Sequence, residues 1–119
     1  MKQRLVLAVV AVFAFGSAMA ESQWRHAGGM GMRQFVVVRP ALAADAETLK
    51  QAAREVCSPG RACVVLFWPE GAVVPKKMPM TRAQQRAVIA QYLRNPASGS
   101  EELLMKCQAA QPKGSKCLR

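Results

Sequence analysis

Four cysteines in 119 residues, set out as two pairs of near neighbours, constrain this chain more than any other feature. Cys57 and Cys63 bracket Ser58-Pro59-Gly60-Arg61-Ala62, while Cys107 and Cys117 bracket a segment containing Pro112 and Gly114. Proline presets φ and glycine accepts positive φ, so both inserts read as turns that bring the flanking backbone together. An even cysteine count in a short exported chain reads first as disulfides. Local pairing, Cys57 with Cys63 and Cys107 with Cys117, is the expectation, and a crossed arrangement joining Cys57 or Cys63 to Cys107 is the alternative. Loops of this size stabilise a fold by about 2–3 kcal/mol each on the chain-entropy account, a large share for a small domain.

Other cysteine chemistries fit less well. Structural zinc favours closely spaced pairs such as CxxC or added histidines, and the one histidine, His26, lies far upstream. Thioredoxin-type redox sites use CxxC at a helix N-terminus, which lowers a thiol's pKa. Cys57 instead follows a helix-like stretch, where the dipole works in the opposite direction. A thiol-dependent enzyme is therefore the least favoured reading.

The oxidising context is itself read from the sequence. Residues 1–20 begin with Lys2 and Arg4, continue through the apolar run Leu5 to Phe15, and end at Ala18-Met19-Ala20. That is the pattern of a secretory signal peptide, and the apolar run is too short for a membrane span. A periplasmic or secreted location follows. The segment holds two of the 17 Lys and Arg residues and none of the seven acidic ones, which leaves a formal charge of +8 on the remainder. Such a surplus suits anionic partners, and in the cell envelope lipid headgroups and acidic polymers come before nucleic acid.

Residues 21–32 are rich in glycine and lack a clear period, so they read as a flexible arm. Phe35-Val36-Val37-Val38 reads as a buried strand ending at Pro40. From Asp45, a candidate N-cap, the residues Ala46, Leu49, Ala52, Ala53, Val56 and Cys57 share one helical face. Cys63 to Trp68 reads as a central strand, apolar on both faces, and Glu70 to Met80 as a surface loop. Thr81-Arg82-Ala83-Gln84 matches a capping box, opening a helix that gathers Val88, Ile89, Tyr92 and Leu93 before Asn95-Pro96. Residues 101–107 lack a β-branched side chain and lean to helix on propensity. The fold class expected is a small two-layer α/β domain, with two or three strands and two or three helices, disulfide-stapled, over residues 33–119 with a basic C-terminal tail. Two or three helices cannot easily cover both faces of its sheet, and an uncovered apolar face seeks a partner, a second copy of the chain included.

Catalytic signatures are missing: there is no GxSxG, HExxH, P-loop or dinucleotide fingerprint, and Glu101-Glu102 diverge in any regular structure. The expectation is a non-catalytic protein without a cofactor. Lys76, Lys77, Arg82 and Arg86 form a candidate basic patch, with Lys113, Lys116 and Arg119 as a second cluster. No exposed aromatic interleaves with these charges as a base-stacking platform requires. The segment QWRHAGGMGM carries His26, Met30 and Met32 beside Trp24, and Met78-Pro79-Met80 repeats the Met-x-Met spacing. Thioether and imidazole suit Cu(I). This ligand set resembles that of periplasmic copper carriers, and the likeness implies a Cu(I) site at His26, Met30 and Met32; it does not extend to their β-barrel fold. The leading expectation is an exported accessory protein that presents a basic surface to an anionic envelope component or a protein, and the copper carrier is the alternative.

Overall fold

The computed structural model describes residues 23–118. The signal peptide read over residues 1–20, and Arg119 of the C-terminal cluster, lie outside the described residues. Five strands form one mixed sheet in the order of the chain: β1 (Trp24–Met30), β2 (Arg33–Val38), β3 (Cys63–Pro69), β4 (Ala90–Asn95) and β5 (Ser100–Met105). Only β2 and β3 run parallel; the other neighbours are antiparallel. The parallel step needs a crossover, and it is made by a 3-10 turn (Pro40–Leu42) and the helix α1 (Ala46–Val56). A short helix, α2 (Arg82–Ala87), stands between β3 and β4.

The architecture corrects the expected two-or-three-strand domain: it is sheet-dominated, with five strands and two α-helices among the described residues. Three segments account for the difference. Residues 24–30, read as an arm, form β1, because pairing to β2 supplies the order that the glycines withhold. A bulge between His26 and Gly28 absorbs one residue of the pairing. The second helix stops at Ala87, and Ala90–Asn95 is β4. Val88 and Tyr92 are both buried, but in different apolar clusters on opposite sides of the sheet, so their i, i+4 spacing imitates a helical face that does not exist. Residues 100–105 pair with β4 as β5, where an available partner strand overrides weak propensity.

The period-2 alternation of the strands sorts the core into two layers. On the first face Val36, Val38, Val65, Phe67, Ala90 and Tyr92 pack with Leu49, Ala52 and Ala53 of α1. Asp45 caps that helix by accepting from the Thr48 backbone N–H at 3.1 Å. Cys57 follows the helix and is bonded to Cys63 at the start of β3, with the two Cα atoms 5.9 Å apart. On the second face Phe35, Val37, Leu66, Trp68 and Val88 pack against the loop that follows β3, through Ala72, Val74, Met78 and Met80. The second disulfide, Cys107–Cys117, folds the tail back so that Leu118 bridges to Lys106 beside β5.

Candidate binding face

The second face is built around Trp68. Its ring is fully buried and meets Phe35 edge-on at 5.4 Å between centroids, while its Nε1–H donates to the Gln84 carbonyl at 2.9 Å. That bond anchors α2 to the sheet. The helix is opened by the capping box read in the sequence: Thr81 Oγ1 accepts from the Gln84 N–H at 3.1 Å, and Gln84 Oε1 accepts from the Thr81 N–H at 2.9 Å. A six-residue helix has little stability alone, so capping and the indole bond set where its side chains stand.

Between α2, β4 and the tail lies an open groove of about 510 Å³. Leu66 and Val88 form its floor, Met80 and Leu118 its apolar sides, and Arg86 and Lys106 its cationic rim. Lys106 Nζ donates to the Arg86 backbone carbonyl at 2.8 Å, which ties the residue after β5 to the end of α2, and both Lys106 and Arg86 line the groove. Leu118 is placed by the stapled tail: its N–H donates to the Met105 carbonyl at 2.9 Å, and its carbonyl accepts from the Cys107 N–H at 2.8 Å. Lys76 and Lys77 lie on the other side of α2, lining with Val73, Pro79 and Thr81 a second, shallower depression. Val73 is 76% exposed and gives this depression an apolar edge.

Charge is distributed unevenly between the faces. Asp45, Glu47 and Glu55 belong to α1 or its cap, and Glu101 of β5 reaches the same side, while its neighbour Glu102 turns to the other face and pairs with Lys116 at 3.9 Å. Arg54 of α1 grips Glu101 through two donors, one of them Nε at 3.0 Å, and the buried Tyr92 hydroxyl donates to the same carboxylate at 2.6 Å. The Arg54 hydrogen bond, followed by that from Tyr92, brings the Glu101 carboxyl down to about 2. Burial first, then the Glu101 hydrogen bond, pushes the Tyr92 phenol up. Arg94 is likewise occupied, donating to the carbonyls of Ser58 at 2.7 Å and Arg61 at 3.3 Å in the Cys57–Cys63 loop. By contrast Lys76, Lys77, Arg82 and Arg86 have no ion-pair partner among the described residues.

Of the expected basic patch, Lys76 and Lys77 line the shallow depression, Arg86 lines the groove, and Arg82 is the first residue of α2. Lys106, Gln91 and Leu118 were not singled out by the sequence reading. Lys106 and Gln91 become neighbours of Arg86 only once residues 90–105 are strands, and Leu118 only once the tail is folded back. The residues of the expected Cu(I) site lie on β1 and the turn that follows it. His26 lies opposite Val36 on the first face and shares a hydrogen bond of 2.7 Å with Gln34 Oε1. Met30 packs into the second-face cluster, and Met32 sits in the β1–β2 turn, 54% exposed. Among the described residues no group of three or more His, Cys, Asp or Glu side chains is placed to hold a metal ion.

No protein-family model matches the chain, and no curated protein or solved structure matches it either.

Proposed function

We propose that this is an exported, non-catalytic accessory protein of a bacterial-type envelope that engages an anionic partner through the face carrying α2. One contrast carries the reading: on the α1 side Lys50 is paired with Glu47, Arg54 with Glu101 and Arg94 with backbone carbonyls, whereas Lys76, Lys77, Arg82 and Arg86 have no ion-pair partner among the described residues and the first two flank the exposed Val73. Positive charge beside an exposed aliphatic side chain suits an anionic lipid surface, where each cation near the headgroups adds about 1 kcal/mol and the apolar group enters the interface. The copper-carrier alternative lacks comparable support, since its three ligands occupy two faces and a turn.

The test is binding to phosphatidylglycerol-containing vesicles against neutral phosphatidylcholine vesicles. Affinity for the anionic vesicles should fall steeply between low and physiological salt, because exposed charges are screened beyond about 8–10 Å. Joint reversal of Lys76, Lys77, Arg82 and Arg86 to Glu should weaken it more than joint reversal of Lys113 and Lys116. A quadruple variant that binds as the parent does would remove this face from the function.

A further inference from the structure

We infer that the groove between α2, β4 and the folded-back tail is a binding site for a single alkyl chain bearing an anionic headgroup, as in a monoacyl anionic lipid. The inference rests on the proposed anionic partner and names the part of it that enters the protein.

The argument is one of complementarity between two unlike halves. Leu66, Val88, Met80 and Leu118 give the groove its apolar surface, Gln85 and Gln91 add neutral polar groups, and its volume of about 510 Å³ falls within the range of small-molecule sites. The mouth is cationic. Arg86 presents a planar fork of donors suited to a carboxylate or phosphate, and Lys106 keeps donors beyond the one it gives to the Arg86 carbonyl. No described carboxylate lines the groove to neutralise them. A headgroup alone leaves the apolar floor wet, and a neutral chain leaves the two cations without a partner. An alkyl chain with a terminal anion satisfies both.

The floor also continues past the groove. Leu93 and Leu104 follow on the same face of β4 and β5 and remain partly exposed, so a longer chain finds apolar surface beyond Leu66. Leu118 makes the site depend on the tail, because the Cys107–Cys117 bond and the two backbone bonds to Met105 and Cys107 hold that wall in place.

The experiment titrates the protein, both disulfides intact, with octanoate, decanoate and dodecanoate below their micelle concentrations, using calorimetry. Each added methylene should tighten binding about three- to fourfold. Dodecyltrimethylammonium should bind at least about tenfold more weakly than dodecanoate, having the same chain and the opposite charge. Gln91, half-buried at the groove lining, permits a blocking variant: Gln91→Trp should reduce dodecanoate affinity at least about tenfold with an unchanged far-UV circular dichroism spectrum. Should that variant fold poorly, Arg86→Glu with Lys106→Glu, both at exposed positions, should produce the same loss.

Dodecanoate binding that is indifferent to both variants, or to chain length, would overturn the inference. So would concentration-dependent dimerisation that Gln91→Trp abolishes, since the groove would then belong to a second copy of the chain. Salt-sensitive vesicle binding without any dodecanoate binding discards the groove and keeps the basic face. Dodecanoate binding without vesicle binding does the reverse.

Discussion

The two faces of this sheet are built from equally apolar strands and finished in opposite ways. Over the first face α1 packs through Leu49, Ala52 and Ala53, and the polar groups beside it are matched inside the protein: Arg54 and Tyr92 by Glu101, Arg94 by the carbonyls of the Cys57–Cys63 loop. Over the second face a proline-containing loop and a six-residue helix leave a groove, an exposed Val73 and four cations without ion-pair partners among the described residues. A matched face contributes to stability and offers little to a partner. The second face has its own core around Trp68 and Phe35, but its exposed residues are unmatched, so substitutions there should alter binding with little change in stability.

The sharpest contrast is Leu49→Ala against Val73→Ala. Leu49 is fully buried under α1, and truncation should cost about 2–5 kcal/mol in denaturant unfolding, whereas Val73→Ala should stay within about 0.5 kcal/mol. Equal losses would mean that the second face is as tightly packed as the first.

Next in size is the pair of disulfides. Replacing Cys57 and Cys63 with Ser should cost about 2 kcal/mol, near the loop-entropy value, since this bond joins the end of α1 to the central strand. The Cys107→Ser, Cys117→Ser variant should lose less global stability. Its main effect should be faster amide exchange at Leu118 and Cys107, whose N–H groups hold the tail to β5. A global loss as large as that of the first pair would show the tail to be part of the cooperative core.

A smaller effect is expected at Tyr92→Phe, about 1.5 kcal/mol, for the hydroxyl bond to a charged carboxylate. The same carboxylate sets an acid dependence. Because folding lowers the Glu101 pKa from 4.5 to about 2, its contribution is complete above pH 4.5 and disappears as pH falls through 2. Stability measured across that window should decline in the parent and decline less in Glu101→Gln. An identical slope in both would show that the Arg54–Glu101 pair is screened out in solution.

The matched face was the legible one. Asp45 and the Leu49, Ala52, Ala53 spacing mark α1, the apolar runs at 35–38 and 63–68 mark β2 and β3, and the Pro-Gly insert marks the first staple. Each of these signals is local, a cap, a period or a turn within a few residues. The capping box of α2 is equally local, but the outer strands, which serve both faces, depend on pairings that are not. β1 is ordered by β2, and β5 by β4, although neither Gly28-Gly29 nor the run from Glu101 to Met105 advertises a strand. The basic patch was readable as charge, but the groove was not. It is assembled from Leu66, Val88, Lys106 and Leu118, which stand up to 52 positions apart and meet only when the sheet closes over 90–105 and the tail returns.

Trp68 also gives the molecule an optical reporter at the junction between its two layers. The indole is sealed beneath α2, edge-on to Phe35, with its N–H committed to the Gln84 carbonyl, while the remaining tryptophan, Trp24, lies partly exposed on β1. In a Trp24→Phe background the emission should be that of a dry ring, and detachment of α2 should shift it to the red before the sheet itself unfolds. Fluorescence would then follow the docking of a single helical turn, and far-ultraviolet dichroism the strands beneath it, as two clocks running in one small protein.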